Sequence, residues 1–346
     1  LSCVVGSGMG IRDRILSFSL FSFDKYNELT YLEAKSIVVT LLPVFFFSQQ
    51  LINTNDLERD LSLYGKAMLI GIIFYAVLKL SLVVFGFFFG VNTPEIYEIA
   101  FGLEPNKWEI IPGFYRAQYI NDTVCIILFF IICPLYENES SRSKFYYLGF
   151  IAIWIIAVSS FSRLLISYCL FLTSLYLIRY LKIRMLFIIG LCFSALIVMY
   201  SDVLQSLIEV RLDNKYIAAS DNERFMQFNC LFDAFSDNPI VGLGMGAYVK
   251  SCIRGGNGTE YLYEIQWLSF LMKYGIFGFI PFLMYYIYPV LLWRLIGALA
   301  VSSYLLFILS GLTNPYLLSS TTSVIFMGLI LLCAFKRFLR DGAKSA

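Results

Sequence analysis

The chain has 346 residues, of which 59% are hydrophobic and 14% are charged, and its mean hydropathy is +0.75. Soluble globular domains carry about 25% charged residues, so this composition excludes an ordinary soluble protein. The net charge of +2 is not gathered into a basic stripe or tail, which argues against nucleic-acid binding. The chain contains no histidine, which excludes Ser-His-Asp and Cys-His nucleophiles and histidine-based metal sites.

Long apolar runs predict an all-α fold, a polytopic transmembrane bundle of about 9–11 helices of ~20 residues each. The nine clearest runs are 34–52, 67–90, 120–136, 145–161, 164–181, 184–200, 265–288, 295–311 and 316–335. Lys and Arg are concentrated in alternate connections and at the C-terminus, which predicts that these parts face the cytoplasm. The two long connections, about 91–119 and 201–264, then lie outside.

The chain is therefore predicted to contain three regions. N-terminal transmembrane helices occupy 1–200, a partly helical outside loop occupies 201–264, and C-terminal transmembrane helices occupy 265–346. Two lysines fall inside predicted spans, where an ionisable side chain is by default a functional hypothesis. Lys79 is the stronger candidate, because snorkelling of the side chain or a misplaced span boundary is enough to explain the position of Lys273.

The outside loop 201–264 carries a helix signal. Ser220-Asp221-Asn222-Glu223 has the pattern of a capping box, which predicts a helix beginning there and ending at Asn238-Pro239. An apolar face is predicted from phenylalanines at steps of three and four: Phe225, Phe228, Phe232 and Phe235. Arg224 would lie in the first turn, where a bound anion would offset its unfavourable position. A surface ion pair with Asp221 or Glu223 is the alternative.

Two further features of the loop leave alternatives open. The glycine-rich segment 239–246 (PIVGLGMG) predicts either a plain tight turn or a nest of backbone amides for phosphate. A preceding strand is missing, which argues against a dinucleotide site. Cys230 and Cys252 lie in a polar stretch and can pair if the loop is outside the cytoplasm, although spacing alone does not establish a disulfide.

Several motifs between about 113 and 320 occur in a recognisable order. They are Gly113-Phe114-Tyr115-Arg116, Ser162-Arg163, Arg224 followed by Pro239–Gly246, Gly275-Ile276-Phe277-Gly278, and Gly311-Leu312-Thr313-Asn314-Pro315. Together they resemble the bacterial O-antigen ligase/polymerase superfamily. The ligase of that family is associated with a histidine just before the Gly-Ile-x-Gly span, where this chain has Glu264. The resemblance is therefore closer to O-antigen polymerase (Wzy), which joins oligosaccharide repeat units on undecaprenyl diphosphate at the periplasmic face of the inner membrane.

The resemblance implies a glycosyltransferase, for which no cofactor is expected. An Asp-rich metal motif is not evident in the sequence, which predicts a metal-independent reaction. Arginine binds phosphate oxygens in pairs, so periplasmic arginines would hold the diphosphate. The candidates are Arg163 and Arg224, then Arg116, with Arg211 and Arg254 also on this side. Glu264 is the candidate general base for the acceptor hydroxyl, with Glu260 the nearest competitor. A solvated Glu264, or one paired with Lys250 or Arg254, is the alternative reading.

The resemblance also implies the partners of the protein and defines the alternative functions to be tested. Undecaprenyl diphosphate-linked oligosaccharide and the lipid bilayer are the expected partners, and a chain-length regulator protein is a candidate. The aromatic residues near Glu264 would either stack on sugars or form an interfacial belt: Tyr248, Tyr261, Tyr263 and Trp267. Competing functions are the ligase, a lipid-linked oligosaccharide flippase or transporter, and a channel or structural membrane protein.

Overall fold

The computed structural model describes residues 27–54, 56–90, 108–111, 114–116, 118–136, 144–160, 162–180, 214–253, 260–319 and 321–345. The predicted span 184–200 lies outside these ranges. The helices are α1 (Asn27–Asn53), α2 (Leu57–Phe89), α3 (Ile120–Ile132), α4 (Lys144–Ser159), α5 (Arg163–Tyr180), α6 (Asn214–Asp237), α7 (Gln266–Leu291), α8 (Trp293–Ile296), α9 (Ala298–Ser310) and α10 (Thr322–Ser345). Two 3-10 turns occupy Cys133–Tyr136 and Lys250–Cys252, and strands β1 (Trp108–Ile111) and β2 (Phe114–Arg116) form an antiparallel hairpin.

These helices confirm the predicted all-α polytopic fold. Within the described ranges, four segments are long and apolar enough to cross a membrane: Glu28–Asn53, Leu57–Gly86, Gln266–Ile296 and Thr322–Arg340. Shorter apolar helices cover Ile120–Tyr136, Phe145–Ser159, Arg163–Ile178 and Ala298–Ser310. Helix α2 begins about ten residues before the predicted span 67–90. Asp56 caps it by accepting a hydrogen bond from the Arg59 backbone N–H, a signal that hydropathy does not contain.

The chain divides into two compact units, which are described separately. The bundle unit comprises Pro43–Ile217, Pro289–Phe307 and Thr321–Ala346. Within it, α3 is the buried centre and packs against α4, α5 and α10. The loop unit comprises α1 as far as Leu42, together with Ala218–Tyr288 and Ile308–Ser320.

An ion pair fixes α2 to α3 inside the bundle unit. Lys79 Nζ lies 2.7 Å from Asp122 Oδ2, and both side chains are fully buried. The Tyr75 hydroxyl donates to Asp122 Oδ1 at 2.8 Å, and the Tyr119 backbone N–H donates to Oδ2 at 3.0 Å. A buried charge needs such an opposite partner, so these contacts account for Lys79 structurally. The functional hypothesis for Lys79 stays a hypothesis.

Helix α7 is broken at Gly275, which has φ 60° and ψ −174°. The carbonyls of Met272 and Lys273, at the end of the first half, accept hydrogen bonds from the backbone N–H groups of Leu243 and Gly244 at 2.9 and 2.8 Å. The loop segment 239–244 thus supplies partners that the interrupted helix lacks.

The second half of α7 is bound in the same way. The backbone N–H groups of Ile276 and Phe277 donate to the carbonyls of Pro239 and Ile240, at 2.9 and 3.3 Å. Unpaired backbone groups at membrane depth cost several kcal/mol each, so a broken span needs partners of this kind. The apolar run 265–288 predicted one continuous span and gave no indication of this break.

Glycine is required on both sides of this contact. A Cβ on Gly275 would collide with the Ile240 carbonyl, and a Cβ on Gly242 would collide with the Lys273 carbonyl. Gly242 has φ 74°, and the φ and ψ of Gly275 fall in a region that is essentially restricted to glycine. Two glycines from separate motifs therefore allow the two backbones to touch.

We expect Gly275→Ala to lower the melting temperature of the detergent-solubilised protein strongly, because backbone strain of about 1–3 kcal/mol adds to the collision. Gly71→Ala is the matched control, since a Cβ at this glycine of α2 meets no atom within 4 Å. It should leave stability unchanged or slightly raised, because alanine favours helix. Equal melting temperatures for the two variants would contradict the proposed packing of the break.

Candidate functional site

Helix α6 is longer than the sequence predicted. It begins at Asn214, so the capping-box start at Ser220 is wrong, although the end before Asn238-Pro239 is confirmed. The preceding residues include good helix formers, Lys215, Ala218 and Ala219, and the helix runs on through the capping pattern. Arg224 therefore lies well inside α6, and the expected anion site at a helix N-terminus is wrong.

The buried face of α6 also differs from the predicted one. Leu231 is fully buried in an apolar cluster with Ala247, Tyr263 and Met272, and Phe235 packs against that cluster. The other three predicted residues of the apolar face are exposed: Phe225, Phe228 and Phe232. Helical spacing identified an aromatic face correctly, but it did not identify which side of the helix meets the protein.

A disulfide joins α6 to the chain beyond the glycine-rich segment. Cys230 of α6 pairs with Cys252, and Cys252 belongs to the same apolar cluster as Leu231. The structure thus contains the pairing that spacing alone left open. The bridge closes the part of the chain that contains the glycine-rich segment 239–246, so that segment is held at both ends.

The structure brings Arg224 and Glu264 together. Arg224 Nε donates to Glu264 Oε2 at 3.0 Å, and the two side chains are 33% and 19% exposed. One turn later on α6, buried Gln227 accepts a hydrogen bond from the Glu264 backbone N–H at 3.2 Å. Helix α6 therefore positions both candidate groups, and Glu264 has a partner other than Lys250 or Arg254. The contact with Glu264 spans 40 residues, and the local pairing of Arg224 with Asp221 or Glu223 stays a prediction.

The remaining candidate arginines are distributed differently. Arg163 is the exposed first residue of α5, and Arg116 is the last residue of β2, opposite Trp108 in the hairpin. Both belong to the bundle unit. Arg211 and Arg254 lie outside the described residues, so their predicted roles stay predictions.

The glycine-rich segment is not a phosphate nest in this structure. The amides of Leu243 and Gly244 are bound by α7 carbonyls, and the amide of Gly242 donates to the Asn238 carbonyl at 3.0 Å. The Gly246 amide donates to a carboxylate oxygen of Glu33 at 2.6 Å. The segment thus binds a negatively charged group, but that group is the Glu33 side chain of α1.

Glu33 is the centre of a buried cluster that the sequence analysis missed. Its Oε1 accepts hydrogen bonds from Lys273 Nζ and the Tyr274 hydroxyl, both at 2.9 Å. Lys273 Nζ also donates to the Tyr261 carbonyl at 2.8 Å, and Lys273 and Glu33 are each 2% exposed. Lys273 is thus ion-paired inside the protein, and the snorkelling interpretation is wrong. The available signal was Lys273 inside one predicted span and an opposite charge, Glu33, immediately before another, 34–52.

A small cavity adjoins this cluster. It has a volume of about 20 Å³ and is lined by Glu33, Ser36, Tyr261, Gln266, Ser269 and Lys273 among others. That volume holds about one water-sized sphere, so it is too small for a sugar. Burial raises the pKa of the Tyr261 phenol, and the Glu33 carboxylate adds to the rise against a hydrogen bond with Ser36.

Two of the aromatic candidates have internal roles. The Tyr263 hydroxyl accepts a hydrogen bond from the Val249 backbone N–H at 2.7 Å and is 1% exposed. Trp267 Nε1 donates to the Ile308 carbonyl at 3.0 Å, and the indole packs edge-on against Phe270 and Tyr286. Sugar stacking by these two residues is therefore not supported by their positions.

The late turn predicted at 311–315 packs against the start of α7. The Gln266 backbone N–H donates to the Gly311 carbonyl at 2.9 Å, and Gln266 Oε1 accepts from the Leu317 N–H at 2.7 Å. Three of the recognised motifs therefore meet along α7. In the described part of the chain, no group of three or more Cys, Asp or Glu side chains is placed to hold a metal ion. Metal independence stays a prediction.

These features define a multi-pass membrane protein in which a disulfide-bonded loop carries a charged, partly exposed pair. Residues 148–283 match the sequence family described as O-Antigen ligase. This match over part of the chain confirms the resemblance to the O-antigen ligase/polymerase superfamily that was read from the motifs. The family indicates a glycosyltransferase-like enzyme and does not distinguish polymerase from ligase. No curated protein matches the chain at a significant level.

We expect Lys273→Met to destabilise the solubilised protein by about 3–5 kcal/mol, because it leaves the Glu33 carboxylate buried without its cation. Adding Glu33→Gln should recover part of the loss, since the uncompensated charge is then gone. Lys35→Met, at an exposed lysine of α1, is the matched control. Thermal unfolding of the four proteins measures the effect, and a Lys273→Met variant as stable as the control would rule out the ion pair as a structural element.

Proposed function

We propose that this protein is a periplasm-facing O-antigen polymerase of the bacterial inner membrane. It would join undecaprenyl diphosphate-linked repeat units, with a chain-length regulator as a candidate partner. The observation that carries the proposal is the Arg224–Glu264 pair, which places a cation and a carboxylate side by side at a partly exposed position within the family domain.

The exposure of the pair favours a functional role over a structural one. Partly exposed ion pairs contribute about 1 kcal/mol or less to stability, whereas the fully buried pairs of this protein link helices. A guanidinium has five N–H donors, so binding Glu264 through Nε is compatible with binding phosphate oxygens as well. Arg224 would hold the leaving diphosphate, with Arg163 and Arg116 as further ligands and Arg211 and Arg254 on the same side of the membrane.

The proposed reaction exchanges one carbon–oxygen bond for another and transfers one proton. The acceptor hydroxyl oxygen attacks the anomeric carbon of the donor sugar, and the bond from that carbon to the diphosphate oxygen breaks. Glu264 takes the hydroxyl proton, and undecaprenyl diphosphate leaves with the bonding electrons. Arginine stabilises the negative charge that develops on the leaving group. Substitution at the anomeric carbon thus needs a base and a fixed cation close together, which Arg224 and Glu264 would provide.

The ligase is the second candidate. The family description favours it, but the chain has no histidine, and Glu264 stands where the ligase carries one. The two functions use the same donor and differ in the acceptor, so they can be distinguished by adding one acceptor or the other.

The purified protein should form a ladder of products from its undecaprenyl diphosphate-linked repeat unit without other proteins. Glu264→Gln should reduce the rate by about 10²-fold or more, because the base is lost. Arg224→Lys should reduce it by roughly tenfold to 10²-fold, since lysine keeps the charge and loses the forked geometry. Glu260→Gln is the matched control and should retain activity.

Each other outcome has a defined meaning. Transfer to lipid A-core without a ladder would support the ligase. If the folded protein forms neither product, the transporter would be favoured. Full activity of Glu264→Gln would remove Glu264 as the base, and a loss confined to Glu260→Gln would transfer that role to Glu260. Unchanged melting temperatures are required of all variants before rates are compared.

The periplasmic position of the loop, and with it the three-region organisation over 1–200, 201–264 and 265–346, can be tested through the disulfide. Disulfides persist in the periplasm and are rare in the cytosol. We expect thiol alkylation in intact cells to leave Cys230 and Cys252 unmodified until a reductant is added. In a strain that lacks periplasmic thiol oxidation, both should be modified at once. The same modification in wild-type cells would place the loop in the cytoplasm.

A further inference from the structure

Helix α6 presents an apolar strip to the outside of the protein. Phe225, Phe228 and Phe232 are 65%, 46% and 48% exposed, and they form what we call the phenylalanine stripe. The rings of Phe228 and Phe232 stack with centroids 6.0 Å apart and planes 7° apart. Three large apolar side chains on one exposed line are unusual for a surface bathed only in water.

The stripe has a defined place around the helix. With about 3.6 residues per turn, it lies between the buried face and the polar face of α6. The buried face carries Gln227 and Leu231, and the polar face carries exposed Asn229, Asp233 and Ser236. A helix with protein on one side, water on another and an apolar strip between them has the pattern of a helix that rests on a lipid surface.

The chain that follows the C-terminal end of α6 is bound to a membrane span. Helix α6 ends where the Asn238 backbone N–H donates to the Phe235 carbonyl. The next two residues, Pro239 and Ile240, accept hydrogen bonds from the second half of α7. The Phe277 backbone N–H donates to the Ile240 carbonyl there, and the Ile276 N–H donates to the Pro239 carbonyl. The side chains of Ile240, Ile276 and Phe277 are 56%, 47% and 60% exposed. Because α7 is a candidate span, the C-terminal end of α6 lies at the level of the membrane.

We propose that α6 is an interfacial helix whose phenylalanine stripe lies among the lipids of the leaflet that faces the loop. The disulfide and the Gln227–Glu264 contact hold the buried face of α6 on the protein, so the stripe has a fixed orientation toward the bilayer. Phenylalanine is among the side chains that form the apolar face of helices lying at a membrane interface. The occupant of the stripe is therefore lipid, and the stripe serves as an anchor for the loop. This inference does not rest on the proposed reaction.

Photo-crosslinking tests the proposal directly. Phe228 or Phe232 is replaced by p-benzoylphenylalanine, a close relative of phenylalanine, in the full-length protein reconstituted in vesicles of phosphatidylethanolamine and phosphatidylglycerol with alkyne-labelled acyl chains. We expect lipid adducts at both positions, several-fold above those at Asn229 and Ser236, which are matched exposed controls on the polar face of α6.

The remaining outcomes overturn the proposal. Equal adducts at the stripe and at the polar controls would show that α6 has no preferred side toward lipid. Cross-linked protein dimers from Phe228 or Phe232, without lipid adducts, would assign the stripe to a second copy of the chain. Each variant must retain the Cys230–Cys252 disulfide, which verifies folding. Because the readout needs neither substrate nor turnover, a failed polymerase assay would not affect it.

Discussion

The break in α7 at Gly275 is the constraint on which the loop unit depends. A membrane span that loses its helical hydrogen bonds must find other partners for its backbone groups, because lipid offers none. The segment 239–244 provides these partners on both sides of the break, through two N–H donors and two carbonyl acceptors. The Pro-Ile-Val-Gly-Leu-Gly run and the Gly-Ile-Phe-Gly run are thus two halves of one contact. This explains why glycine occurs in both.

The same constraint accounts for the buried charges near the break. The glycine-rich segment turns with positive φ values at Gly242, Gly244 and Gly246, and the Gly246 N–H donates to Glu33. Glu33 in turn needs a cation because an isolated buried carboxylate is far too costly, and Lys273 supplies it from the first half of α7. Loop, broken helix and α1 are therefore joined by one ion pair. The anion bound by the Gly246 amide is thus a side chain of the protein itself, and the phosphate nest, one of the two alternatives that the sequence left open, is not formed.

Local signals in the sequence predicted most elements but few of the contacts. Apolar runs located the spans, Asn238-Pro239 located the end of α6, and the order of the motifs identified the family. The start of α6 was misplaced because a capping pattern is also compatible with a helix interior. The pairing of Arg224 with Glu264 spans 40 residues, and that of Glu33 with Lys273 spans 240. Such distances are set by the packing of α1, α6 and α7, which hydropathy and spacing do not encode.

Helix α6 combines three environments on a single rigid element, and this arrangement explains why the charged pair has a defined position. Its buried face is fixed by Leu231 and by the disulfide of Cys230, so α6 cannot rotate without breaking a covalent bond. Arg224 lies on the same helix and is therefore held at a constant angle to the phenylalanine stripe. A lipid-linked substrate has a charged diphosphate next to an apolar chain. Arg224 and the phenylalanine stripe likewise place a charge beside an apolar surface, and both are fixed on one helix. A mobile loop would instead have to be ordered each time substrate bound.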